Sequence, residues 1–276
     1  MTLLNQANAI RLGSQQVSRV YAGSVQVWPA LPAFRAAVLA DGPVAMWAFD
    51  GAGVTEADLV AGLVGTFSSG GGVGATPWSN RQQPSLLPNG EGLSTGWTNA
   101  AQSRFWVPNP PAVGAGDLTF ETWFFLPTGG VGTTNYGGLI CSTTAIATAQ
   151  GNGLTLQWGT AAVNFQVGIG GVQYTGGLDT SGMAFALLPA AFPTNVPIYF
   201  VMVVQGTAVR LYRNGALVQS LTFANRGYAV APNWLIGAVQ GGAFRPLDHR
   251  QQYTTIYNKA LTQQQITAHW QAAGGT

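Results

Sequence analysis

The chain has 276 residues and a mass of 28.7 kDa, enough for one large core and a small appendage. Hydrophobic residues make up 47% and aromatics 11%, which argues against intrinsic disorder, while only 7% are charged, so the polar surface must come from Asn, Gln, Ser, Thr and backbone. The net charge of +2 is a small excess among few charges, and with no Lys/Arg run there is no basic face for nucleic acid.

The N-terminus, Met1 to Gln6, has neither a basic region nor a long apolar one, so no secretory signal is expected. Residues 1–29 hold three short β-prone runs, Ile10 to Leu12, Val17 to Tyr21 and Val25 to Trp28, separated by Gly-Ser turns. The pattern Gly-Ser-x-Gln-Val occurs at Gly13–Val17 and again at Gly23–Val27. A segment this small cannot bury a core of its own and must dock on something. Its contacts would be Val17, Val20, Tyr21, Val25, Val27 and Trp28. The prolines at 29 and 32 suggest a linker over residues 30–37, and residues 38–276 then form the main body.

That body reads as a succession of strands. Ala45 to Phe49 opens it, and Phe105 to Val107 follows a Gly/Ser/Asn-rich region from 51 to 104. Next comes Leu118 to Leu126, with Phe120 and Phe124 on one face and Trp123 and Phe125 on the other. Cys141, the single cysteine, excludes an intrachain disulfide and sits in an apolar stretch that suits a buried, inert thiol. Val163, Phe165, Val167 and Ile169 alternate with Asn164, Gln166 and Gly168, as in a half-buried strand. Ile198 to Val204 is a continuous apolar run suited to a central strand, and far too short to span a bilayer. Asn214-Gly215, between Val209–Tyr212 and Leu217–Gln219, predicts a hairpin with a type I′ turn. Strands at Trp234–Ile236 and Tyr253–Tyr257 complete the set. The chain ends in a helix, with Thr262 and Gln265 as a capping box and Ile266 and Trp270 on one face. Many strands, turns throughout and one terminal helix predict an all-β, two-sheet antiparallel sandwich.

Five segments in order carry a family resemblance: Met46 to Asp50, Gly92-Leu93-Ser94 leading to Phe105–Pro108, Leu118 to Trp123, Val209 to Gly215, and Ile256 to Thr262. The region from about 38 to 273 resembles the laminin-G-like branch of the concanavalin A-like lectin/glucanase superfamily. The resemblance implies a jelly roll whose members bind sugars, proteins or calcium and, in a minority, cleave polysaccharides. Two departures count against calcium. After Asp58 the chain continues Leu59-Val60-Ala61-Gly62-Leu63-Val64 instead of the family's Asn/Asp-rich loop, and Gln251-Gln252 stands where acids are common. The string Gly13 to Trp28 is similar to N-terminal modules on structural proteins of tailed bacteriophages, which implies a virion component made in a host cytoplasm.

Catalysis has little to draw on. The glucanase branch uses a Glu-x-Asp-x-x-Glu strand, and none of the nine acids forms one. Glu121 lies alone on the right kind of strand, on the face of Trp123, where a solvated or hydrogen-bonded structural role is expected. Asp248 and His249 are neighbours and so point apart in a strand, while His269 belongs to the terminal helix. Neither a triad nor a metal cluster emerges, and no cofactor is called for. Gly70 to Gly74 lacks the Lys-Ser/Thr of a phosphate loop. Trp78, Asn80, Trp97, Asn135 and Tyr136 are the candidate glycan-binding residues, since exposed aromatics can stack on sugar rings and amides can fix hydroxyls. The competing reading, that these aromatics pin loops to the sandwich, is favoured because buried aromatics dominate packing. The expectation is a non-enzymatic virion protein, on head or tail, whose partners are other virion proteins and copies of itself in a trimer. A glycan is a secondary partner, and nucleic acid and membrane are not expected. The alternative is a free carbohydrate-binding module.

Overall fold

The computed structural model describes residues 10–12, 15–17, 20–22, 25–28, 31–69, 80–98, 100–110, 116–127, 137–143, 153–158, 165–170, 193–222, 233–240, 244–246 and 248–276. At the N-terminus β1 (Ile10–Leu12) pairs with β2 (Gln15–Val17), and β3 (Val20–Ala22) with β4 (Val25–Trp28). The run expected over Val17–Tyr21 is thus divided between two hairpins. Neither hairpin joins another sheet among the described residues.

Helix α1 (Ala33–Ala40) comes next, in the stretch expected to be a linker. Phe34 and Val38, four residues apart, share one face and are wholly buried. The linker expectation therefore fails for residues 33–37, which belong to the body. Then follow β5 (Ala45–Trp47), β6 (Thr55–Ala57), β7 (Val64–Ser68), β8 (Thr95–Trp97), β9 (Arg104–Pro108) and β10 (Leu118–Phe125). Strands β11 (Gly137–Thr143), β12 (Gly153–Trp158), β13 (Phe165–Gly170) and β14 (Pro197–Gln205) continue the chain. After them come β15 (Ala208–Arg213), β16 (Ala216–Thr222), β17 (Asn233–Ile236), β18 (Ala238–Gln240), β19 (Phe244–Pro246) and β20 (His249–Tyr257). Helix α2 (Gln263–Ala272) closes it.

Two antiparallel sheets form the sandwich. The first runs β16-β15-β14-β10-β20-β5, with β8 sharing the far side of β20. The second runs β13-β12-β11-β17-β9-β7-β6. Between them lies a core that includes Trp47, Phe67, Trp97, Phe105, Phe120 and Phe124. Alternation along β10 sends Phe120 and Phe124 into this core and Trp123 to the opposite face. That outer face of the first sheet is itself covered. Phe34, Val38, Leu86, Leu87, Leu261 and Ile266, from α1, the segment before β8, the link after β20 and α2, pack on Trp123, Tyr199, Tyr253 and Tyr257. The body is consequently three layers deep on that side.

The hairpin turn matches its expectation: Asn214 and Gly215 have φ of 51° and 78°, the two positive values of a type I′ turn. Thr262 and Gln265 form the capping box. Two bulky residues, Phe49 and Tyr253, also sit at positive φ, 61° and 49°. They are adjacent in space, where β20 bulges against β10 and the Tyr253 amide donates to the Ala48 carbonyl.

Candidate functional site

The residues selected as glycan candidates do not converge. Trp97 is 1% exposed, inside the core, stacked with Phe67 and pressed on Gly237, where a Cβ would lie 2.5 Å from the ring. Its assignment to a sugar site is corrected: β8 turns the indole inward. Asn80 is half-buried and holds β8 in place, its carbonyl accepting from the Gly96 amide at 2.8 Å. Trp78, Asn135 and Tyr136 lie outside the described residues. Of the attachment set, Val17 lies in β2, Val20 and Tyr21 in β3, and Val25, Val27 and Trp28 in β4; Val20 is half-buried.

What the fold does bring together is a polar constellation under the helix layer. Glu121 projects from β10 to the outer face and is fully buried. Its carboxylate accepts from Tyr199 Oη at 2.8 Å, Tyr257 Oη at 3.1 Å and His269 Nδ1 at 3.0 Å. The other ring nitrogen of His269 meets Asp41 Oδ2 at 3.0 Å, just past α1. Gln265 Nε2 donates to the second oxygen of Asp41. Six residues from β10, β14, β20, α2 and the end of α1 thus make one network. Burial, and next the charge of Glu121, hold both tyrosine hydroxyls well above their ordinary pKa, so they stay as donors.

A second seam lies beside it. Glu91, in the segment before β8, accepts from the Phe34 and Arg35 amides at 2.9 and 3.1 Å and so caps α1. It also accepts from Tyr253 Oη at 3.1 Å, while Arg35 Nη2 pairs with Asp50 at 2.8 Å. Nearby, Glu56 binds Arg81 at 3.1 Å and the Phe49 amide at 2.6 Å. Burial pushes the Glu56 carboxyl up, against the opposing pull of the Phe49 amide. The guanidinium of Arg81 lies 3.4 Å from the Phe67 ring centroid, a cation–π contact.

Asp58, at the place where the family's calcium loop would begin, accepts from the amides of Val60, Ala61 and Leu63. Its oxygens close the loop, and a cation there would have to displace three backbone donors. Asp117 accepts from the Gly206 amide. Hence Asp41, Asp50, Glu56, Asp58, Glu91, Asp117 and Glu121 all have structural partners. Gln251 and Gln252 are likewise internal: Gln251 reaches Thr122, Thr254 and the Leu139 carbonyl, and Gln252 holds Leu86 and the Glu91 carbonyl.

The sequence pointed to part of this. Glu121 was expected to be solvated or hydrogen-bonded and is the latter, and Ile266 and Trp270, expected to share one helix face, both pack on the outer face of the first sheet. What sequence reasoning missed is that Tyr199, Tyr257 and His269 meet on Glu121, with Asp41 behind His269, because the stretch of α1 was read as a linker and nothing local tied α2 to β10.

Comparison with known proteins agrees with this architecture. Residues 92–267 match the model of the laminin-G type in the concanavalin A-like lectin/glucanases superfamily. The chain belongs to that superfamily. No curated protein matches it. Among solved structures, domain 4 of AbnA, a GH43 extracellular arabinanase from Geobacillus stearothermophilus in complex with arabinotriose, is similar with a TM-score of 0.58. The identity is 16%, over 82% of this chain and 97% of that one. Trypanosoma rangeli sialidase with 2,3-difluorosialic acid has a TM-score of 0.55 at 12% identity, covering 83% of this chain and 32% of that one. The botulinum neurotoxin serotype D ligand-binding domain in complex with N-acetylneuraminic acid has a TM-score of 0.56 at 12% identity, covering 85% and 52%. The superfamily member described here thus spans about a third of the sialidase and half of the toxin fragment. At these identities the likeness is one of fold.

Proposed function

We propose that the protein is a structural component displayed on a bacteriophage virion, as head decoration, fibre or tail-associated protein, whose lectin-like sandwich recognises host or environmental glycans without cleaving them. The observation that carries the two-part reading is the pairing of the N-terminal strands. Among the described residues, β1–β2 and β3–β4 each pair only with themselves, outside both sandwich sheets. Ribbons of this size are marginal alone and gain order by docking on a neighbour, which suits an attachment device on a symmetric particle. The string from Gly13 to Trp28 and its likeness to phage structural modules supply the kind of particle. The non-catalytic half is supported by the carboxylates: those named above are all occupied by structural bonds, and Glu121 is out of reach of a substrate.

Sugar recognition draws support from the arabinanase domain and the toxin domain, both solved with sugars and both similar in fold. The second reading, a free carbohydrate-binding module, rests on the same domain-level likeness, since 97% of the arabinanase domain is covered. Two measurements separate the readings. Antibodies against the sandwich should label the outside of intact purified virions, and the full chain should be retained on a subset of a glycan array. Virions lacking the chain would leave only the free module, and retention of no glycan at all would remove the recognition role.

A further inference from the structure

Both ring nitrogens of His269 face carboxylate oxygens, Glu121 on one side and Asp41 on the other, each at 3.0 Å. An ionised carboxylate only accepts, so both nitrogens must carry protons, which is the imidazolium form. The ring is buried, with 1% of its side-chain surface exposed. The charged groups facing it are Glu121 from β10 and Asp41 from the end of α1, and the titratable groups behind Glu121 are Tyr199 from β14 and Tyr257 from β20. Both tyrosines spend their hydroxyl protons on Glu121. The edge of Phe34, from α1, approaches the ring at 6.4 Å between centroids. No cation other than the imidazolium joins this network among the contacts described.

We propose that His269 is the protonated pin of a pH-sensitive clasp that fastens α2 to α1 and both helices to the first sheet. Loss of one ring proton turns a donor on a buried ring into a lone pair facing a carboxylate, and the contact becomes repulsive. Burial disfavours the charged ring, but Glu121 and then Asp41 outweigh it, so the folded-state pKa lies above the ordinary 6.5. A raised value fixes the sign. The stabilisation is complete below 6.5, declines as pH rises toward the folded value, and is gone above it. The helices should respond before the sheets do, because the clasp is their shared polar tie while the sheets keep their ladders. Release of α1 also frees the stretch that leads back to residues 1–30.

The test is hydrogen exchange on the full chain, expressed as protection factors corrected for intrinsic rates, from about pH 6 to about pH 9. Protection in residues 33–40 and 263–272 should fall by about tenfold per pH unit above the unperturbed value and then level off, with β10 and β14 unchanged. His269→Gln should show helices of lower protection that no longer depend on pH. If that variant does not fold, Asp41→Asn removes one carboxylate and should move the fall to lower pH. Nitrogen-15 shifts of the His269 ring provide a readout that a merely packed histidine would not give, with both nitrogens protonated at about pH 6.5. A neutral ring at that pH, helices insensitive to pH, or helices and sheets losing protection together would each overturn the clasp.

Discussion

Glu121 shows what one residue commits the fold to. Three donors converge on it, so removing the carboxylate strands two tyrosine hydroxyls and a charged imidazole in a dry layer. Glu121→Leu is expected to cost about 3–5 kcal/mol, read by urea unfolding, because both tyrosine hydroxyls lose their acceptor and buried His269 loses one of its two carboxylates. A loss under about 1 kcal/mol would show that water enters the layer and screens it. Gly215 is limited by geometry instead of charge. Its φ is 78°, and a Cβ would stand 3.0 Å from the Trp270 side chain, while its carbonyl accepts from Gln263 and Thr267 of α2. Gly215→Val should therefore destabilise by about 1–3 kcal/mol from strain alone. The Asn-Gly pair was legible because turn chemistry is local. The environment of Glu121 was not, since its partners come from residues 199, 257 and 269, and nothing local names them.

At the scale of elements, the strands with clean alternation or an unbroken apolar run were legible. β10, β14 and β15 fell where period and β-branching placed them, and β20 contains the expected Tyr253–Tyr257 but starts earlier, at His249. Helix α1 was not, and the reason is physical. Its sequence offers Pro32 at the N-cap position with no side-chain cap, and the carboxylate that serves its first amides comes from Glu91, across 57 residues of chain. A helix of 8 residues without a local cap is unstable alone and exists through burial of Phe34 and Val38. Phe34→Ala is accordingly expected to cost about 3–5 kcal/mol, where a linker residue would cost nearly nothing. The strands between residues 51 and 104 were hidden for a related reason: β6, β7 and β8 are short, and Gly65 and Gly96 interrupt their pattern.

At the scale of the whole molecule, the described N-terminal strands form two hairpins outside both sandwich sheets. Among the described residues neither sandwich sheet takes a strand from residues 1–29, so their deletion should leave a folded body with thermal unfolding within about 2–3 °C of the full chain, a shift below roughly 1 kcal/mol at this size. The same truncation should abolish association with particles, measured by co-sedimentation. A truncated chain that still binds them at normal occupancy would refute the attachment role. Inside the body, the order of strands has a further consequence for manufacture. β20, whose last residue is Tyr257, lies between β10 on one side and β5 and β8 on the other. A ribosome therefore finishes both neighbours long before it delivers the strand that must separate and join them. During that interval β5, β8 and one edge of β10 stand as open templates, and only the low charge of this sequence is available to keep nascent copies apart. Chains arrested before residue 249 should remain protease-sensitive and bind holding chaperones, and full resistance should arrive in a single late step once α2 has cleared the exit tunnel.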